Sequence, residues 1–330
     1  MDQIRLGTIG SGVIVRSILD NAVKMPAVRL EAVYSRTDAA GEKLASEYGI
    51  QKVYTDMDAF LGDGEINTVY IATPNLLHYE QAKRALLAGK HVILEKPFCT
   101  TLRHARELVE LAREKNLMLV DAVPPSFGPN FEIIREKLPE IGKIKLVMTN
   151  FSQYSSRYDK LLGGELPNIF NPELGGGCLM DLNFYNIYLN VALLGKPLEA
   201  VYYPNFFPGA ADTSGVAVLR YEGFVSQNAA AKDTWGINFV QIEGEQGYIY
   251  ASEGSAALSE IRVVTKTGEQ VLNLQPNPDR WFYEVSAMTE LLLKENRREL
   301  DRRLDVMLDV MDTLEKARKS AGIRFPGDEK

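Results

Sequence analysis

From residue 4 to about residue 120, short β-branched apolar runs alternate with longer segments of helical period, and this alternation constrains the fold more than any other feature. The runs include "RLGTIG", "VRLEAVYS", "NTVYIATP", "HVILEKP" and "LMLVDAV", separated by segments such as "DAAGEKLASEYG", "LLHYEQAKRALLAG" and "LRHARELVELAREKN". A strand that rejoins its sheet through a helix runs parallel to its predecessor. The pattern therefore predicts a doubly wound parallel sheet of the Rossmann α/β class, with helices on both faces. In "LLHYEQAKRALLAG" the residues Leu77, Ala82, Ala85 and Leu86 form one apolar stripe, and Gly89 marks the helix end.

The rhythm breaks at "VDAVPPSFGPN", where prolines and a glycine interrupt it, and a domain boundary is expected there: residues 1–122, then 123–330. Single cores stop growing at roughly 250–300 residues, so two domains suit a 330-residue chain. Past the boundary come a helix ("NFEIIREKL"), a strand ("KIKLVMTNFSQY"), a glycine run leading into an apolar helix ("GGGCLMDLNFYNIYLNVALLG") and consecutive strands from Ala200 to about Leu274. Strands that follow one another without helices predict an α+β domain with a mostly antiparallel open sheet. Two helices, near residues 280–294 and 301–320, close the chain, the last of them free to pack back on the first domain.

Bulk composition narrows the function. The chain is 45% hydrophobic and 25% charged, proportions of an ordered globular protein. A formal charge of −7 argues against nucleic acid or an anionic membrane as partner. Cys99 and Cys178 form no CxxC pair and no dense ligand spacing occurs, so neither a disulfide framework nor a metal is expected. The start runs almost directly into "IRLGTIG", and no run of about 18 apolar residues follows, which gives a cytoplasmic expectation.

The first strand leads into Gly10, Ser11, Gly12, Val13, Ile14 and Val15, at the place where a dinucleotide fingerprint belongs. The first glycine allows a tight turn, the second lets backbone approach a pyrophosphate, and the following helix N-terminus offers N–H donors, with Val13 and Ile14 in its first turn. Val15 replaces the third glycine of the pattern. The second strand ends in Tyr34-Ser35-Arg36-Thr37, with no acidic residue to bond a ribose 2′-hydroxyl. Ser35 and Arg36 offer a hydroxyl and a guanidinium suited to a 2′-phosphate, so NADP is favoured over NAD. The plainer alternative is a solvated Arg36 with Thr37 or Asp38 capping the next helix.

Ligands of an open parallel sheet lie beyond its carboxyl ends. Three such ends carry polar groups: Thr73-Pro74-Asn75, Glu95-Lys96-Pro97 and Asp121. His78 reads as a packed or capping histidine rather than a proton donor, and His91 and His104 receive no role.

The fingerprint, "ATPNLLH", "EKPF" and "GGGCLMDLNFY" together resemble the Gfo/Idh/MocA oxidoreductase family over most of the chain, in matching order. The resemblance implies a Rossmann domain followed by a mixed-sheet domain that binds substrate and dimerises, a homodimer or higher oligomer. It also implies that Lys96 is the catalytic lysine, oriented or paired by Glu95, and that a cis bond precedes Pro97; Thr73 and Asn75 offer short polar groups that suit sugar or phosphate oxygens or else cap the helix from Leu76, and with Pro74, His78, Glu95 and Lys96 they make up the expected cofactor edge. Many relatives read Asp-x-Gly-x-His after the glycine run, whereas this chain reads Asp181, Leu182, Asn183, Phe184, Tyr185. Asp181 and Tyr185, at i and i+4, share a helix face. A phenol in place of imidazole is similar to the glucose-fructose oxidoreductase and dihydrodiol dehydrogenase branch, in which Tyr acts with Lys on the proton. A phenol near pKa 10 needs the Lys96 charge to serve at neutral pH.

The segment "FSQYSSRYDKLLGGELPNIFNPE" supplies Tyr154, Arg157 and Asn168 as candidate substrate ligands. These readings predict an NADP-preferring oxidoreductase acting on a secondary alcohol or carbonyl of a sugar, polyol or cyclic diol, with Lys96 and Tyr185 handling the proton and Asp181 positioning substrate or Lys96. A non-catalytic nucleotide sensor on the same fold and an NAD-dependent inositol-type dehydrogenase stand as alternatives.

Overall fold

A computed structural model describes residues 1–328, and the chain divides into two compact units. The first contains Met1–Cys99, Arg103–Ala122 and Trp281–Asp305; the second contains Thr100–Leu102, Val123–Arg280 and the chain from Val306 onward.

In the first unit the strands β1 (Ile4–Ile9), β2 (Val28–Tyr34), β3 (Lys52–Tyr54), β4 (Thr68–Ile71), β5 (His91–Glu95) and β6 (Leu119–Ala122) form one parallel sheet in the order β3-β2-β1-β4-β5-β6. β1 pairs in parallel with both β2 and β4, so the strand order reverses at β1, the switch point where doubly wound sheets bind ligands. The helices are α1 (Val13–Ala22), α2 (Asp38–Tyr48), α3 (Met57–Gly62), α4 (His78–Leu87) and α5 (Leu102–Glu114). Their apolar stripes go inward: α5 buries Ala105, Leu108, Val109 and Ala112, spaced as one helix face. α4 departs in one position from the expected stripe. His78 takes the first buried place, while Leu77 sits in the preceding 3₁₀ turn and is exposed.

The second unit adds α6 (Pro129–Lys137), β7 (Ile144–Ser152), α7 (Tyr158–Leu162), α8 (Cys178–Asp181) and α9 (Asn183–Leu194). Seven strands follow: β8 (Glu199–Phe206), β9 (Asp212–Arg220), β10 (Val225–Ala231), β11 (Phe239–Gly244), β12 (Gly247–Ser252), β13 (Ile261–Thr265) and β14 (Gly268–Leu272). The eight-stranded sheet runs β14-β13-β12-β11-β7-β10-β9-β8, with every pairing antiparallel except β7 with β10. Phe131 and Ile134 of α6 and Leu189 of α9 pack on Val240, Ile249 and Val263 of one sheet face. The other face leaves Met148, Val218 and Tyr250 half-buried and Tyr203 exposed. The closing helices are α10 (Arg280–Leu293), which from Trp281 belongs to the first unit, and α11 (Arg297–Ser320), which the boundary after Asp305 divides between the units. Among the described residues no helix is long and apolar enough to cross a membrane.

The contact of α9 with the middle of the sheet is polar. Asn183 donates to the carbonyl of Asn228 (3.0 Å), Asn186 to Asn183 Oδ1 (3.0 Å) and the carbonyl of Ala229 (2.9 Å), and Asn190 to Asn228 Oδ1 (2.8 Å). Thr149 of β7 and Ser255 close the network on Asn228 Oδ1 and Asn186 Oδ1. All four asparagines are fully buried. Truncating one strands its neighbours, and a buried polar group without a partner costs about 1–3 kcal/mol. Asn186→Ala, which strands Asn183 and Ser255 together, is therefore expected to lower unfolding stability by ~2–4 kcal/mol in denaturant titration with the slope unchanged. A loss under ~0.5 kcal/mol would show that the network does not hold the helix.

Candidate functional site

At the amino end of α1, Gly10 has φ +116°, and a Cβ there would lie 2.5 Å from the carbonyl oxygen of Ala72, so this turn requires glycine. A Cβ at Gly12 would meet nothing within 4 Å, which leaves open space over the helix end. No side chain caps α1 and no acidic residue lies in its first turn, so its leading N–H groups are left for an anion or solvent. Val13 and Ile14 are exposed beside them, and Val15 is fully buried in the place of the pattern's third glycine. At the end of β2, Ser35 is buried with its N–H on the carbonyl of Tyr54, and Arg36 is exposed. Thr37 occupies the N-cap of α2 but makes no side-chain capping bond. A glycine cradle, helix donors without a side-chain cap from Gly12 and an exposed guanidinium at the end of β2 fit a phosphorylated dinucleotide.

At the end of β5, Lys96 is half-buried and its bond to Pro97 is cis. Glu95 is buried and supports this loop from beneath, accepting from Tyr70 Oη (2.6 Å) and from the Lys96 backbone N–H (3.1 Å). His78 braces it from the side, with Nδ1 2.9 Å from the Pro97 carbonyl and Nε2 2.9 Å from that of Thr73. Both ring nitrogens are thereby engaged with backbone. Burial pushes the His78 pKa down against the two carbonyls that raise it, and the nearby Lys96 charge lowers it further. Thr73 Oγ1 donates to Gln81 (2.6 Å), while Pro74 and Asn75 stand half-buried at the end of β4. Asp121, the third polar strand end, is closed off: the buried Arg303 guanidinium bonds both its oxygens at 2.9 and 3.1 Å.

In the second unit the glycine run fits a carboxylate that lies far along the chain. Gly177 has φ +127°, and a Cβ there would collide with Asp212, whose Oδ2 accepts from the Leu179 N–H (2.7 Å) and Tyr202 Oη (2.7 Å). Asp212 thus caps α8 from β9. Asp181 ends α8, and its carboxylate is bonded by the ammonium of Lys232. Tyr185, in the first turn of α9, is 4% exposed and meets Phe151 and Phe184 edge to face at 5.8 and 5.9 Å. Packed as a core aromatic would be, the ring has a fixed direction. Asn183, in the position where a glycine is common, is the amide that anchors α9 to the Asn228 backbone.

The inserted segment folds into α7 and short 3₁₀ turns. Tyr154 donates to Asp159 (2.6 Å) and stacks on the exposed Trp235 at 5.6 Å, while Arg157 and Asn168 are exposed. Lys232, Asp212 and Trp235 did not stand out in the sequence, since none belongs to a periodic or spaced pattern. Among the described residues no group of His, Cys, Asp and Glu could hold a metal ion.

Residues 4–122 match the family profile described as "Oxidoreductase family, NAD-binding Rossmann fold", and residues 133–250 match "GFO/IDH/MocA C-terminal domain". The chain is 32% identical over 329 residues to the scyllo-inositol 2-dehydrogenase (NADP(+)) of Bacillus subtilis, spanning 99% of this chain and 100% of that one. It is 27% identical to D-xylose 1-dehydrogenase (NADP(+)) 2 of Haloferax volcanii, over 96% of each chain. The solved structure of a 3-ketoreductase from Actinomadura kijaniata, in complex with NADP and TDP-benzene, superposes with a TM-score of 0.84 at 23% identity, covering 96% of this chain and 98% of that one. At that identity the likeness is one of fold.

The buried capping carboxylate gives a test by pH. Burial, the largest effect, raises Asp212 from 3.8 to about 6, against the Tyr202 and Leu179 hydrogen bonds that lower it. A folded-state pKa above the unfolded value gives stability that is complete below the unfolded pKa and lost as pH rises through the folded one. Relative to Asp212→Asn, wild-type unfolding free energy should therefore fall by on the order of 3 kcal/mol between pH ~4 and ~7. A pH-independent difference would show that Asp212 ionises like a surface carboxylate.

Proposed function

The chain belongs to the Gfo/Idh/MocA oxidoreductase family, and on that premise we propose that it is an NADP-dependent oxidoreductase interconverting a secondary alcohol and a carbonyl on a sugar, polyol or cyclic diol. The observation that carries the reading is Lys96, a half-buried ammonium at the carboxyl end of a parallel strand, in a loop braced by Glu95 and His78. The NADP(+)-dependent inositol and xylose dehydrogenases matched over nearly their full lengths support the cofactor and the substrate class.

NADP, when bound, supplies hydride acceptance or donation at the nicotinamide C4. The Gly10–Ile14 turn and the α1 N-terminus hold the pyrophosphate, and Ser35 and Arg36 hold the 2′-phosphate. Thr73, Pro74 and Asn75 border the same carboxyl edge of the sheet. Lys96 and Tyr185 are the groups that hold and exchange the proton of the reacting hydroxyl. Asp181 accepts a hydrogen bond from a substrate hydroxyl. In the inserted segment Arg157 and Asn168 present exposed polar groups to the remaining hydroxyls, and Tyr154 presents its ring face.

The test is a screen of sugars, polyols and dihydrodiols against NADP+ and NAD+, followed by nicotinamide absorbance in wild type and Lys96→Met. Turnover of at least one of these compounds, faster with NADP+, is expected, with a loss of ~10²–10⁴ in Lys96→Met and NADPH binding retained. Equal turnover in the two proteins would remove the lysine from the mechanism. NADPH binding with no turnover of any compound would identify a nucleotide sensor instead.

A further inference from the structure

Lys232 directly follows β10, and its backbone is fixed on both sides: its N–H donates to the carbonyl of Thr213 (2.8 Å), and its carbonyl accepts from the Ser155 N–H (2.9 Å). Its side chain is 6% exposed, its ammonium bonds Asp181 Oδ2, and it lies 6.0 Å from the centroid of the fully buried Phe170 ring. The Asp181 side chain keeps 19% exposure, so the aspartate is the more accessible member of the pair. Leaving an ammonium this deeply buried without a counter-charge costs several kcal/mol, so Lys232 requires Asp181 as its partner.

We propose that Lys232 is a positioning residue that keeps Asp181 ionised and aimed, so that Asp181 acts as a fixed hydrogen-bond acceptor for a substrate hydroxyl and takes no part in proton exchange. The proposal rests on the function proposed above and narrows its substrate class. The charge of Lys232 is committed to Asp181 and cannot neutralise a second anion. A carboxylated substrate would bring its charge against Asp181, whose own cation is engaged, and would have to draw Arg157 or Lys96 away from the hydroxyls assigned to them above. The class that fits is an uncharged ring or chain bearing neighbouring hydroxyls, one reacting and one held by Asp181.

Other titratable groups of this unit face the pair. Asp212 on β9, whose pKa burial raises to about 6, feels the opposing Lys232 charge. Asp233 accepts from the hydroxyls of Thr213 (2.6 Å) and Ser214 (3.1 Å), and buried Cys178 feels Asp212, Lys232, Asp181 and Asp233 together. Tyr202 is bonded to Asp212, and Tyr185 on α9 follows Asp181, the last residue of α8, by four positions across the break at Leu182.

The experiment measures kcat and KM across pH for the best substrate of the screen in wild type, Lys232→Met and Lys232→Arg, each repeated in the Asp212→Asn background to remove that group's titration. NADPH binding in each variant reports a folded nucleotide unit. Lys232→Met should raise KM on the order of tenfold or more, as loss of a charge-assisted hydrogen bond does, and move the acid limb of kcat/KM to higher pH, with NADPH binding unchanged. Lys232→Arg should restore both. Wild type should favour the neutral polyol over the matching sugar acid. An active wild type with an unmoved Lys232→Met profile, or an Arg variant as impaired as the Met variant, would overturn the positioning role alone. Equal use of the sugar acid would overturn the substrate class. A wild type inactive on the whole screen would remove the proposed function, and this inference with it.

Discussion

Amide hydrogen bonds between α9 and the centre of the second sheet set the register of α9, and with it the placement of the turn that leads into it. Apolar contact is non-directional, so a helix laid on Val240, Ile249 and Val263 alone could rotate or slide by a residue at little cost. Asn183, Asn186 and Asn190 recur along one helical face and must meet Asn228 and its neighbours in one register. Any other register strands several buried polar groups at about 1–3 kcal/mol each. Tyr185 lies between the first two of these anchors and Asp181 just ahead of them. The asparagine that replaces a customary glycine is one of the groups that fixes the tyrosine replacing a customary histidine.

Two more constraints act on the same turn. Asp212 caps α8 and requires glycine at 177, and Lys232 bonds Asp181 at the other end of that helix. The first unit shows the same economy at Lys96. Its loop is tied to Tyr70 through Glu95, and to both Thr73 and Pro97 through one buried imidazole. In each unit the group proposed to touch substrate is backed by buried polar partners rather than by apolar packing alone, the arrangement that holds a reacting group within a fraction of an ångström.

Where the sequence was periodic it was legible. The β1, β2, β4, β5 and β6 runs, the stripe of α5 and the helix-free succession β8 to β14 all announce themselves by spacing. β3 and α3, of three and six residues, are too short to show a period. The glycine run was readable as an approach to a helix, but its reason lies in Asp212, bonded across 33 residues to Leu179. Lys232 lies 51 residues from Asp181 and follows "NAAA", which looks like any strand end. His78 could be read as packed, yet its bond to Pro97 across 19 residues appears only in three dimensions. Leu77 was misassigned to the stripe because a 3₁₀ turn shifts the phase of α4 by one residue. Motifs and local period survive in one dimension; partners brought together by strand order do not.

The reaction proposed for this chain is direct hydride exchange between NADPH and a hydroxylated carbon. Its most direct measurement incubates the protein with NADPH deuterated at the transferable C4 position and the ketone of its best polyol substrate, then locates the label by NMR. Deuterium is expected on the carbinol carbon of the product, with transfer abolished in Lys96→Met. NADPH consumption without deuterium in the product, or nucleotide binding with no consumption at all, would contradict the account.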